Sequence, residues 1–112
     1  MIVRNTEKVD ASKVEEGGAN GVSIRVMLGE PEGVPNFILR HFTIEPGGNS
    51  PRHAHEWEHE VYVLKGAGTV FGNGEEQPIG PGDSILVPPN EEHQFKAADD
   101  TVLEFLCIIP KM

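Results

Sequence analysis

Apolar residues fall in short runs along this chain, each cut off by glycine or proline. "SIRVMLG" (23–29) alternates weakly between apolar and polar positions. "NFILRHFTIE" (36–45) is a long strand candidate that "PGG" (46–48) ends. "HEVYVLKG" (59–66) and "AGTVFGNG" (67–74) read as two strands joined at glycine, with a second turn at "GNG". "PIGPGD" (78–83) is a turn, and "SILVPP" (84–89) a short strand stopped by two prolines. "EHQFKA" (92–97) and "TVLEFLCII" (101–109) complete the set, separated by "ADD". Strands at spacings near ten residues, with turn signals between them, predict an all-β sandwich or barrel.

Helical pattern is scarce. Only "EKVDASKVEE" (7–16) has room for a turn or two before Gly17 and Gly18 end it. Residues 1–22 are therefore expected to form an N-terminal arm or an exchanged edge strand, ahead of one barrel domain over 23–112.

Composition narrows the function. A chain of 112 residues is one domain with a small core. Eighteen acids against nine bases give a net charge of −9. With no basic run, nucleic acid and anionic membrane are poor partners, since phosphate binding needs clustered Lys and Arg. No apolar stretch approaches membrane-spanning length, and "MIVRNTEKVD" is no signal pattern. The single cysteine, Cys107, cannot form an internal disulfide, and a cytoplasmic location is expected.

Against that background the histidines stand out. His53, His55 and His59 fall within seven residues, and His93 follows a strand and a tight turn. On a strand, positions two apart share a face, so His53 and His55 can converge on one point. Strand pairing could bring His93 opposite them. One histidine alone would be read as packing, but four in two short turn-bounded segments point to a metal, for which imidazole is the commonest ligand. Glu56, Glu58, Glu60, Glu91 and Glu92 flank the cluster, most of them expected to be solvated.

Other residues are open to two readings. In "FILRHFTIE" either Phe37, Leu39, His41 and Thr43 or Ile38, Arg40, Phe42 and Ile44 face inward. An inward Arg40 needs an anionic partner such as a substrate carboxylate; an outward one is solvated. His41 reads as structural. Phe105, Cys107 and Ile109 share one parity in the last strand, and Phe95 shares the parity of His93. Cys107 is either an inert buried residue or an oxidisable thiol. Trp57 reads as a lid or an interface residue. Gly66, Gly68, Gly72 and Gly74 lack the lysine and helix of a phosphate loop and read as hairpin turns.

These residues carry a resemblance. "GGNSPRHAHEWEHEVYVLKG" resembles the first motif of the cupin superfamily, G-x5-H-x-H-x3,4-E-x6-G. Gly47, His53, His55 and Gly66 fit it. Counting three residues on from His55 and six on to Gly66 puts His59, not Glu60, in the slot usually held by Glu. "GDSILVPPNEEHQFKA" resembles the second motif, G-x5-P-x-G-x2-H-x3-N, at Gly82, Pro88 and His93. Asn90 stands where Gly is usual, and Ala97 where Asn is usual.

More narrowly, "HAHEWEHEVYVLKG", "VPPNEEHQF" and "EFLCIIPK" resemble small single-domain manganese cupins with four histidine ligands. That resemblance implies a jelly-roll β-barrel, usually a homodimer, with one metal inside, held by His53, His55, His59 and His93. It also implies Mn2+ first and Fe2+ next, with other divalent transition metals as further candidates. It places the Phe105, Cys107 and Ile109 face inward and favours Arg40 in the substrate pocket; Phe95 is a pocket candidate by its shared parity with His93, and core packing explains it equally well. Four neutral ligands leave the whole +2 charge uncompensated, and on an octahedral ion they leave two positions free. The expected function is a Mn/Fe oxygenase acting on a small apolar or aromatic molecule. The alternatives are a metal-dependent binding cupin without turnover and a sugar or keto-acid isomerase or lyase.

Overall fold

A computed structural model describes residues Met1–Met112. Nine strands account for the fold: β1 (Ser12–Lys13), β2 (Asn20–Leu28), β3 (Phe37–Asn49), β4 (His59–Gly66), β5 (Gly68–Gly72), β6 (Glu75–Ile79), β7 (Ser84–Val87), β8 (His93–Ala97) and β9 (Leu103–Pro110). The spatial order is β6-β5-β8-β3-β9-β4-β7, with β2 also on β3 and β1 on β2. Every pairing is antiparallel. The chain is a single all-β domain, a jelly-roll barrel whose sheet curls around one core. No helix is long and apolar enough to cross a membrane.

β3 makes the curl possible. Over Phe37–Ile44 it pairs with β9, and its far end pairs with β8 at Asn49↔Lys96. Between the two lies "PGG", which does not end the strand as expected but bends it. The β2–β3 register slips there, and Gly47 sits at φ 74°. A Cβ on Gly48 would collide with the Asn20 carbonyl, so only glycine allows this close approach.

Alternation fills the interior. His59, Val61 and Val63 of β4 face inward, as do Leu103, Phe105, Cys107 and Ile109 of β9. Ile44, Leu103 and Val63 are the most completely buried side chains. β3 resolves its two parities: Ile44 is core, while Arg40 and Phe42 open onto the cavity described below.

Two expectations differ from the fold. β6, "EEQPI", was not foreseen, because it is polar and contains Pro78. It is an edge strand paired only with β5, where a missing N–H is tolerated and only Ile79 is buried. Residues 7–16 form no α-helix. A 3-10 turn spans Thr6–Lys8, and β1 then pairs with β2 of its own chain (Ser12↔Ile24). The free edge of β2 takes up backbone groups that a short isolated helix could not stably satisfy. Val14 packs against the core from this segment.

Leu103→Ala should lower the free energy of unfolding by about 2–5 kcal/mol. Val3→Ala, at a fully exposed position, should change it by less than about 0.5 kcal/mol. Urea denaturation of both variants tests this assignment of the core.

Candidate metal centre

The loop between β3 and β4 carries His53, His55 and Trp57, and two fastenings hold it to β8. The Ser50 hydroxyl accepts from Phe95 N at 2.8 Å, while Ser50 N donates to the Phe95 carbonyl. Further on, His53 and His93 exchange backbone hydrogen bonds of 3.2 and 2.9 Å. The two histidines converge through this bridge and the loop, not through a continuous strand. Asn90 donates to the His55 carbonyl at 2.6 Å with φ 67°, the left-handed conformation that asparagine tolerates. His59 opens β4, and His93 opens β8.

All four imidazoles reach one cavity of about 450 Å³. His53, His55 and His93 each present a ring nitrogen, and the three nitrogens lie within 4.8 Å of one another. His59 lies outside that triad but beside it, its ring 5.0 Å from that of His93 and 5.3 Å from that of His55. His53 Nε2 and His55 Nε2 are 3.1 Å apart. Two nitrogens at right angles around an ion, with bonds of about 2.1 Å, sit about 3 Å apart, so the pair fits a shared cation as well as a shared proton. His93 Nδ1 lies 2.9 Å from the Glu91 carbonyl, which can only accept. That bond fixes the proton on Nδ1 and frees Nε2, the orienting contact that metal-bound histidines use. His59 Nε2 is buried with no partner. A lone pair kept dry and unpaired is costly, and a cation would satisfy it. The donor set therefore fits a divalent metal.

On its other side, His59 Nδ1 lies 3.2 Å from Cys107 Sγ, and Arg40 Nη2 donates to the same sulfur at 3.0 Å. With the proton of His59 on Nδ1, both groups donate to sulfur and Nε2 stays free. Burial lowers the His59 pKa to about 3, aided by the charges of His93 and Arg40. Burial, then His55 and His93, lower that of His53 to about 4, against a smaller opposing pull from Glu16. His55 shifts down for the same first cause, and burial pushes the Cys107 thiol up. His53, His55 and His59 are thus neutral near pH 7, the form that binds metal.

Arg40, Phe95, Phe105 and Cys107 all line the cavity. Ile109 does not. It is buried in the core, one inward step beyond Cys107, at the level of β3 residue Ile38, where apolar side chains fill the barrel. Trp57 lies over His55, the rings 4.5 Å apart and nearly parallel. His41 faces the other side of β3, buried, with Nε2 3.3 Å from Glu104. Glu92 turns outward to Arg52. The carboxylate nearest a ligand nitrogen is one the sequence did not single out: Glu16, 3.9 Å from His53 Nδ1. No local spacing links positions 16 and 53; only the pairing of β1 with β2 brings that segment to the mouth.

The family profile described as "Cupin domain" matches residues 40–109. An oxalate-binding protein of Thermotoga maritima is 31% identical over 114 residues, covering 97% of this chain and 93% of its own. A 1-methylthio-D-xylulose 5-phosphate methylsulfurylase of Rhodospirillum rubrum is 35% identical over 96 residues, or 85% of this chain, which spans 61% of that protein's length. Among solved structures, a polyketide cyclase of Streptomyces resistomycificus superposes with a TM-score of 0.94 at 34% identity, covering 100% of this chain and 80% of its own.

The lowered histidine pKa values set an acid limit on the metal-free protein. The unfolded chain takes up protons near pH 6.5, while His53 and His59 resist until about 4 and about 3. Folding stability should therefore fall as the pH drops below about 6.5 and be insensitive to these groups above it. Urea midpoints from about pH 7.5 to about pH 4 should show this decline, and His59→Asn should make it shallower. A flat profile in the wild type contradicts it.

Proposed function

We propose that this chain, which belongs to the Cupin domain family, holds one divalent ion on His53, His55, His59 and His93 and acts as an oxygenase on a small apolar or aromatic molecule. Mn2+ is the first candidate and Fe2+ the second. The observation that carries the reading is the all-imidazole donor set, including the dry, unpartnered Nε2 of His59, beside an aromatic wall. No carboxylate joins the triad. Ligands without charge favour the reduced, dicationic state of a metal and keep it strongly Lewis acidic.

A bound ion of this kind supplies Lewis acidity and one-electron chemistry with dioxygen. The chain's own residues do the rest. Glu91 fixes the His93 ring through its carbonyl, and Cys107 fixes His59. Phe42, Phe105 and Phe95 stack in sequence at 5.3 and 4.8 Å, offering a flat apolar surface that excludes water from the substrate's body. Trp57 stacks on His55 and covers one face of its ring. The only acids lining the cavity are Glu15 and Glu16, both exposed at its mouth. Proton abstraction deep in the site thus has no evident base, which favours redox chemistry over isomerase or lyase chemistry.

The second reading is metal-dependent binding without turnover. One relative that matches this chain nearly end to end is named for binding oxalate and not for a reaction. We also propose a homodimer. Tyr62, Leu86 and Ile108 stand exposed on the outward face of β4, β7 and β9, around an apolar groove suited to a second copy.

Plasma mass spectrometry of the untagged protein should find about one Mn or Fe per chain. Metal content should fall in His59→Ala and be unchanged in Glu60→Ala. Oxygen uptake with small aromatic substrates should then depend on the metal. A metal-loaded protein that binds such molecules but consumes no oxygen supports the binding reading. A wild-type chain that takes up no metal ends both.

A further inference from the structure

Arg40 is the cation deepest in the cavity, and the protein gives it no counter-ion. A guanidinium has five N–H donors. The chain offers this one a sulfur, Cys107 Sγ at 3.0 Å, the ring nitrogen His59 Nδ1 at 3.4 Å, and the face of Phe42, 5.0 Å from Cζ. Its Nε is buried without a partner. None of the chain's ion pairs includes it. Glu15 and Glu16 share the cavity, but both are exposed; Glu16 lies toward His53 and Glu15 toward Lys13. A half-buried cation with no oxygen acceptor is costly to keep unless something supplies one.

The histidines add to the imbalance. Four neutral imidazoles would cancel none of a dication's charge, leaving it beside Arg40 in one small volume. Three buried polar atoms of cavity-lining residues lack partners: His59 Nε2, Arg40 Nε and Trp57 Nε1. The first fits a cation. The other two are donors that call for an acceptor. Next to Arg40, the Phe42, Phe105 and Phe95 stack calls for a flat apolar body.

From these observations we infer that the ligand of this cavity is an aromatic or unsaturated carboxylate, its oxygens at Arg40 and its flat body against Phe42 and Phe105. The inference deepens the proposed function and rests on it for the ion's share of the charge. The guanidinium's share stands without the ion. A neutral molecule of the same shape leaves Arg40 unpaired and binds less well.

Benzoate and benzamide, alike in shape but not in charge, are the probes. Calorimetric titration of the full chain, with and without Mn2+, should show benzoate binding about tenfold or more tightly than benzamide. Arg40→Met should remove that preference by weakening benzoate far more than benzamide. Arg40→Lys keeps the charge but not the planar fork and should recover part of it. Thermal unfolding of each variant shows that the fold is intact. Equal binding of the two probes, no benzoate binding, or a preference that survives in Arg40→Met overturns the inference. Metal content of the same samples separates the two proposals. A chain that takes up no Mn2+ yet prefers benzoate through Arg40 loses the metal site and keeps the anion. A metal-loaded chain indifferent to charge loses the anion and keeps the metal site.

Discussion

The backbone bridge between His53 and His93 is the contact on which the site depends. It joins a loop to the first residue of β8 with two hydrogen bonds, so the chain that carries two imidazoles cannot drift from the strand that carries a third. The bridge is possible only because β3 bends at its glycines and delivers Ser50 to β8. Apolar packing of β4 and β9 then fixes the fourth imidazole, since His59 continues the inward parity of Val61 and Val63. Fold and site are thus one construction. The turn that closes the barrel also gathers the histidines, and a backbone held by paired hydrogen bonds loses little further entropy when the side chains converge.

Electrostatics gives the gathered residues their character. The protein as a whole is acidic, at −9, yet the depth of its cavity holds a guanidinium and imidazoles and no carboxylate. The acids stay at the mouth or on the outer surface, where water screens them. Burial keeps His53, His55 and His59 neutral, and Arg40 reinforces this by disfavouring a second positive charge nearby. Cys107 links the two halves, accepting from Arg40 and, in the tautomer that frees Nε2, from His59. A small, polarizable sulfur can serve both donors without adding a full negative charge.

Much of this was legible in the sequence because it rests on local rules. Parity grouped Phe105, Cys107 and Ile109 on one face of β9, the resemblance turned that face inward, and glycine and proline marked most turns. Motif spacing put His59 with the other histidines, the family resemblance favoured Arg40 in the pocket, and both line the cavity. The failures were of kinds that local rules do not reach. "PGG" reads as a stop, and only the neighbouring Asn20 carbonyl shows why the strand runs through it. "EEQPI" has no strand signal of its own and takes its conformation from β5. Ile109 has the right parity but the wrong depth along the barrel. Glu16 reaches His53 through a pairing between β1 and β2 that nothing in either segment announces.

The central claim is that four imidazoles, with no carboxylate, hold one divalent ion. Pulsed electron paramagnetic resonance of the Mn2+-loaded protein tests it most directly, because coupling to ligand nitrogen counts the bound imidazoles. The account predicts four such nitrogens in the wild type and three in His59→Ala. Three in the wild type, unchanged by His59→Ala but altered by Glu60→Ala, would contradict it and return the site to a mixed histidine and carboxylate donor set.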